Sequence, residues 1–177
     1  MNHGEMGQKQ PAFLLAQLGA HAASQFAEGL GVLELTPADA GILRLLRAEA
    51  GLSQQELAGR LRIHSSRLVA ILDNLERRGF VERRANPDDR RLYSLHLTQG
   101  GEETLEMIGR VAREHQEALL SSLSGEERKT LATLLLRIAD QQGLVRGVHP
   151  EYQRLAKRSE ANEGKRKAKP LMKLAGS

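Results

Sequence analysis

Between Pro11 and Gly29, Phe13, Leu14, Leu18, His21, Ala22 and Phe26 recur at steps of mainly three and four. That is the period of one helical face, so the pattern predicts a first helix, ended by Gly29 and Gly31. Thr36-Pro37-Ala38-Asp39 then offers a capping side chain, a proline suited to the first helical position and an acid near the positive end of the helix dipole. A second helix follows to about Ala50, stopped by Gly51. Ser53-Gln54-Gln55-Glu56 is a capping box, in which Ser53 accepts from the Glu56 amide while the Glu56 carboxylate reaches back. It opens a short third helix through Leu61. After a turn over Arg62 to Ser65, a fourth helix carries Leu68, Ile71, Leu72 and Leu75 at i, i+3, i+4 and i+7, with Gly79 as its left-handed stop.

After Gly79 the period becomes alternating. Phe80 to Arg84 reads as a strand, Asn86-Pro87-Asp88-Asp89 as a turn, and Tyr93, Leu95 and Leu97 alternate with Ser94 and His96, which together predict a β-hairpin. Thr98 can cap a long fifth helix from about Gly101 to Leu123, with Leu105, Ile108, Val111, Leu119 and Leu120 as candidate buried positions. Ser124-Gly125-Glu126-Glu127 is a second capping box, starting a sixth helix on Leu131, Leu134, Leu135 and Ile138. The expected fold is mainly α with a small β-hairpin wing. Residues 1–10 read as a flexible N-terminus and 11–147 as the folded domain. Residues 148–177 read as a basic, largely disordered tail with a nascent helix near Tyr152 to Ser159.

A short helix, a tight turn, an amphipathic helix and a hairpin, in that order, make a winged helix-turn-helix, which presents one helix to the major groove of DNA and the hairpin tip to a neighbouring groove or the phosphates. The stripe at 68, 71, 72 and 75 fixes the phase of the fourth helix. Ser66, Ala70, Asp73 and Arg77 then point away from the core, flanked by Arg67, Val69 and Asn74. Arg67 is the leading base reader, because a guanidinium pairs bidentately with guanine. Ser65 and Ser66 can cap the helix or meet a phosphate, and Val69 or Ala70 can touch a thymine methyl. Ser53 and Gln54 at the start of the third helix, and Arg84 on the hairpin, complete the candidate contacts. An acid at position 73 is awkward on a DNA-facing surface, which suggests that Asp73 orients a wing arginine. The competing reading is a protein-interaction module whose arginines are a solvated face.

Charge sharpens this picture by its placement. The formal net charge is +4. Residues 148–177 hold eight Lys and Arg against three Glu, a net of +5, which leaves residues 1–147 at −1. Within that near-neutral body, residues 77–91 carry six arginines against Glu82, Asp88 and Asp89, a local excess that points to phosphate. The Lys165 to Lys169 cluster of the tail adds either solubility or nonspecific phosphate contacts. With no cysteine there is no disulfide, thiolate metal site or cysteine redox switch, and a reducing cytoplasm is compatible. No run of eighteen apolar residues suggests a membrane span. The six histidines are scattered without metal-ligand spacing, and Glu114, His115 and Glu117 read as a solvated helix face. No nucleophile, base and orienter stand at a recognisable spacing, so neither enzyme activity nor a cofactor is expected.

Several blocks then follow in a known order: Leu35-Thr36 with Ile42-Leu43, Ser53 to Ala58, Leu68 through Leu75 to Val81, Asn86-Pro87-Asp88-Asp89-Arg90-Arg91, and Leu97-Thr98-Gln99-Gly100-Gly101. In these the chain resembles the multiple antibiotic resistance regulator (MarR) family, from about Pro11 to Gly143. The resemblance implies a homodimer packed through its first, fifth and sixth helices (11–30 and 101–143), binding a pseudo-palindromic operator and usually repressing nearby genes. It also implies that Arg90 reads the minor groove from the wing, with Asp89 and Arg91 shaping the tip. Many members of that family release DNA when a small phenolic or anionic effector enters a cleft between the dimer arms and the DNA-binding lobes; Gln17, His21, Gln25 and Arg44 are the candidate contacts here. Independently of the family, one such motif covers only about one half-site, so two held about one DNA turn apart bind better, and the apolar first, fifth and sixth helices offer the surface.

Overall fold

The computed structural model describes residues 10–85 and 93–144. Among the described residues, six helices and one hairpin run in the order α1 (Pro11–Gly31), α2 (Pro37–Ala48), α3 (Gln54–Leu61), α4 (Ser65–Arg77), β1 (Val81–Ala85), β2 (Tyr93–Leu97), α5 (Gln99–Leu119) and α6 (Gly125–Gln141). The described residues form two compact units, one built from those up to Ala40 together with Glu102 to Leu144, the other from Gly41 to Gly101. The expected turn Asn86 to Asp89, and with it Asp89, Arg90 and Arg91, lies outside the described residues, as do the tail and residues 1–9.

The predicted helix starts are visible in their hydrogen bonds. Ser53 Oγ accepts from the Glu56 amide at 3.2 Å while Glu56 Oε2 accepts from the Ser53 amide at 2.8 Å. Ser124 and Glu127 repeat the arrangement at 3.4 and 2.8 Å. At α2 the same reciprocity is built with aspartate: Thr36 Oγ1 accepts from the Asp39 amide, and the Asp39 carboxylate accepts from the Thr36 amide and hydroxyl. Thr98 Oγ1 caps α5 by accepting from the Gly101 amide at 3.0 Å. Gly79, at φ 72°, ends the α4 segment in the left-handed region, where a Cβ would be strained.

In the second unit α3 packs on α4, α4 on β1 and α3 on β2. Ile42, Leu43, Leu46, Leu57, Leu61, Leu68, Leu72, Leu75, Val81 and Leu95 are buried there. The hairpin pairs Val81 with Leu97 through Ala85 with Tyr93. It also gains a third edge, because the Gly51 amide donates to Leu95 O and the Leu95 amide to Leu52 O. The wing root is thereby hydrogen-bonded to the segment that leads into α3.

The first unit departs from expectation. Leu105 and Ile108 are buried as predicted, but Val111, Leu119 and Leu120 are only half-buried. On α6, Leu134, Leu135, Leu136 and Ile138 are exposed and Leu131 half-buried; on α1, Phe13, Leu14, Leu15 and Leu18 are exposed. The predicted stripes are correct as helical faces, yet within the described residues of one chain they have too little to pack against. Glu114 and Glu117 are exposed, as expected of a solvated helix face, whereas His115 is half-buried with its ring 5.8 Å from that of Phe26.

Candidate nucleic-acid interface

The helix phase sets what α4 offers. Leu68, Leu72 and Leu75 are buried and Ile71 half-buried, so Ser66, Ala70, Asp73 and Arg77 are exposed, with Arg67, Val69 and Asn74 half-buried along their flanks. The helix begins one step earlier than a serine cap would require. His64 is the N-cap and its side chain makes no capping hydrogen bond, so Ser65 and Ser66 stand inside the first turn rather than capping it. That turn carries no acid. The Arg67 and Leu68 amides donate to His64 O, so this turn offers chiefly its side chains, the exposed Ser65 and Ser66 hydroxyls and Arg67, without a competing carboxylate in the turn, an arrangement suited to a phosphate or an electronegative base edge.

At the start of α3, Ser53 and Gln54 are half-buried. The Glu56 carboxylate is held below its ordinary value, first by the Ser53 amide and then by the Ser53 hydroxyl, with Arg60 contributing through space. It stays ionised and committed to the helix end.

The arginines divide by what they touch. Arg84 is exposed on β1, and its Nε and Nη2 reach Glu82 Oε1 at 2.9 and 2.5 Å. Arg83 leaves the strand on the opposite side and bridges to Asp73 and Glu76 of α4. The expectation that Asp73 orients a wing arginine thus holds in this geometry. Arg77 turns back on its own helix, donating to Asp73 O and Asn74 Oδ1, and Arg78 lies 4.7 Å over the Phe80 ring. Arg60 pairs with Glu49 at 2.8 Å. Among the described residues no carboxylate pairs with Arg67. The same holds for Arg62, a cation that sequence reading passed over. Arg62 occupies the left-handed region at φ 52°, caps α3 through its amide and is exposed in the turn before α4. Its signal was weak, since a non-glycine residue in that conformation has no distinctive pattern.

Of the effector candidates, Gln17, His21 and Gln25 are exposed along one strip of α1 at steps of four. Arg44 is exposed on α2, where it is already held by an interaction within the chain.

Comparison with known proteins places this geometry in context. The sequence model of the MarR family matches residues 35–93. A Thauera aromatica protein named as the transcriptional regulatory protein assigned to an hcr operon is 34% identical over 140 residues, covering 78% of this chain and 84% of that one. The transcriptional repressor CouR bound to a 23-mer DNA duplex superposes with a TM-score of 0.66 at 33% identity, covering 78% of this chain and 98% of that one. A mutant MarR of Escherichia coli complexed with operator DNA superposes with a TM-score of 0.60 at 28% identity, covering 72% of this chain and 91% of that one.

Proposed function

Since the chain belongs to the MarR family of transcriptional regulators, we propose that it acts as a sequence-specific DNA-binding repressor, a homodimer that engages a pseudo-palindromic operator and carries out no catalysis of its own. The observation that carries this reading is the N-terminal turn of α4, where an exposed, acid-free helix start is flanked by Ser65, Ser66 and an arginine, Arg67, with no carboxylate partner among the described residues. Arg67 reads a base edge, Val69 and Ala70 supply apolar contact, and Ser53, Gln54 and Arg62 hold phosphates that set the register. Arg84 supports the wing from its pair with Glu82, while Arg90 reads the minor groove from the tip, shaped by Asp89 and Arg91. The protein works in the cytoplasm, and a small-molecule effector contacting Gln17, His21 and Gln25 relieves repression, with Arg44 as a further candidate for an anionic group.

Arg67→Ala tests the reading at its most specific point. Operator affinity is expected to fall by about 1–3 kcal/mol, with relaxed preference at one base pair of each half-site and little change on shuffled duplex. An equal loss on every sequence would make Arg67 a phosphate contact, and no loss would remove α4 as the reading helix.

A further inference from the structure

β1 alternates, so Val81 and Arg83 pair opposite Leu97 and Leu95 on one side of the hairpin, while Glu82 and Arg84 meet on the other. The Arg83 side chain is 23% exposed, and its two terminal nitrogens serve two different carboxylates of α4. Nη2 donates to Asp73 Oδ1 at 2.6 Å, and Nη1 donates to Glu76 Oε2. Asp73 and Glu76 are three residues apart and so are neighbours on the helix surface. A single planar guanidinium spans them in a fixed fork, a geometry that a flexible ammonium group does not impose. Asp73 is meanwhile exposed on the outward strip with Ser66, Ala70 and Arg77, where a bare carboxylate would repel phosphate.

We propose that Arg83 is a positioning residue for DNA recognition. It offsets part of the negative charge of Asp73 and Glu76 and pins the wing root to α4, so that the wing and the reading helix meet DNA in one fixed relation while Arg83 itself does not touch it. This role rests on the DNA-binding reading above. It also explains why an acidic residue is tolerated on the outward face of a DNA-reading helix: a cation within the chain already holds and partly offsets it.

The test uses the full chain, with Arg83→Lys, Arg83→Gln and Asp73→Asn, each first verified as folded by thermal melting. Affinity for operator and for shuffled duplex is then titrated across a salt series. Arg83→Lys keeps the charge but loses the fork, and is expected to lower the operator-to-shuffled preference about fivefold. Asp73→Asn is expected to lower that preference as well, although it removes a negative charge from the DNA-facing side and simple repulsion would make it bind better. The salt slope of Arg83→Gln is expected to match that of the wild type. A slope reduced by about 0.9 would identify a phosphate contact. That result, or an Arg83→Lys protein with wild-type preference, overturns the positioning role alone. Wild-type protein without operator preference overturns the DNA-binding reading and this role together.

Discussion

Gly101→Ala is expected to destabilise the protein by about 3 kcal/mol or more, which lowers the melting temperature by roughly 10 °C for a chain of this size. A Cβ built at Gly101 stands 2.1 Å from Phe80 O and 3.1 Å from Phe80 C. Both are backbone atoms, so no rotamer change relieves the overlap. The neighbouring bonds hold the two segments together: the Thr98 amide donates to Phe80 O at 3.1 Å, Thr98 Oγ1 donates to Gly79 O at 2.5 Å, and the same oxygen accepts from the Gly101 amide. An alanine would have to push the start of α5 away from the root of β1 and break that set. Gly59 on α3 provides the contrast, because nothing lies within 4 Å of a Cβ there. Gly59→Ala is expected to be neutral or to stabilise by up to about 1 kcal/mol through helix propensity. Differential scanning calorimetry of the two variants settles the matter; equal melting temperatures would show that the contact at Gly101 relaxes freely.

The second large effect concerns assembly. Phe13, Leu14, Leu15 and Leu18 on α1, and Leu134, Leu135, Leu136 and Ile138 on α6, are all at least 39% exposed in the single chain. Eight large apolar side chains left exposed on two helices of one unit provide the apolar surface that a partner would cover. A second copy of the chain is the occupant proposed for them. Leu134→Glu combined with Leu135→Glu would place two charges in that interface without partners, so the dimer dissociation constant is expected to rise on the order of a hundredfold or more. Operator affinity should fall with it, since one copy engages only one half-site. Sedimentation velocity at micromolar concentration reads the outcome. A double variant that sediments as the wild type, or a wild type that is itself monomeric, would contradict the dimer.

Much of this architecture was legible because it is written locally. A capping box needs only residues i and i+3, and those at Ser53 and Ser124 form as their spacing predicts. The α4 stripe fixed which side chains face outward because a helix has one phase. The Asp73 partner was anticipated from chemistry alone, as an acid on that face demands a cation. What escaped depends on long-range packing. Nothing in the hairpin's own sequence says that Leu95 pairs with Leu52, 43 positions earlier. The count of six arginines between 77 and 91 also overstated the positive charge on offer, because Arg83 and Arg84 are paired with acids within the chain. That pairing depends on which strand face meets α4. Amphipathicity marked the α6 leucines as apolar but could not say whether their cover comes from the same chain. Gly101 belongs to a pattern visible in the sequence, while its reason, a helix start in contact with the Phe80 carbonyl, is visible only in the fold.

The central claim is that this chain reads DNA sequence through α4 and the wing. It is tested most directly by fluorescence-polarisation titration of the full chain against a duplex that it enriches from genomic DNA, beside a shuffled duplex of the same composition, from low to physiological salt. The expected result is a preference of about a thousandfold or more for the enriched duplex, with affinity for both falling steeply as salt rises. Equal affinity for the two duplexes, or binding indifferent to salt, would contradict it.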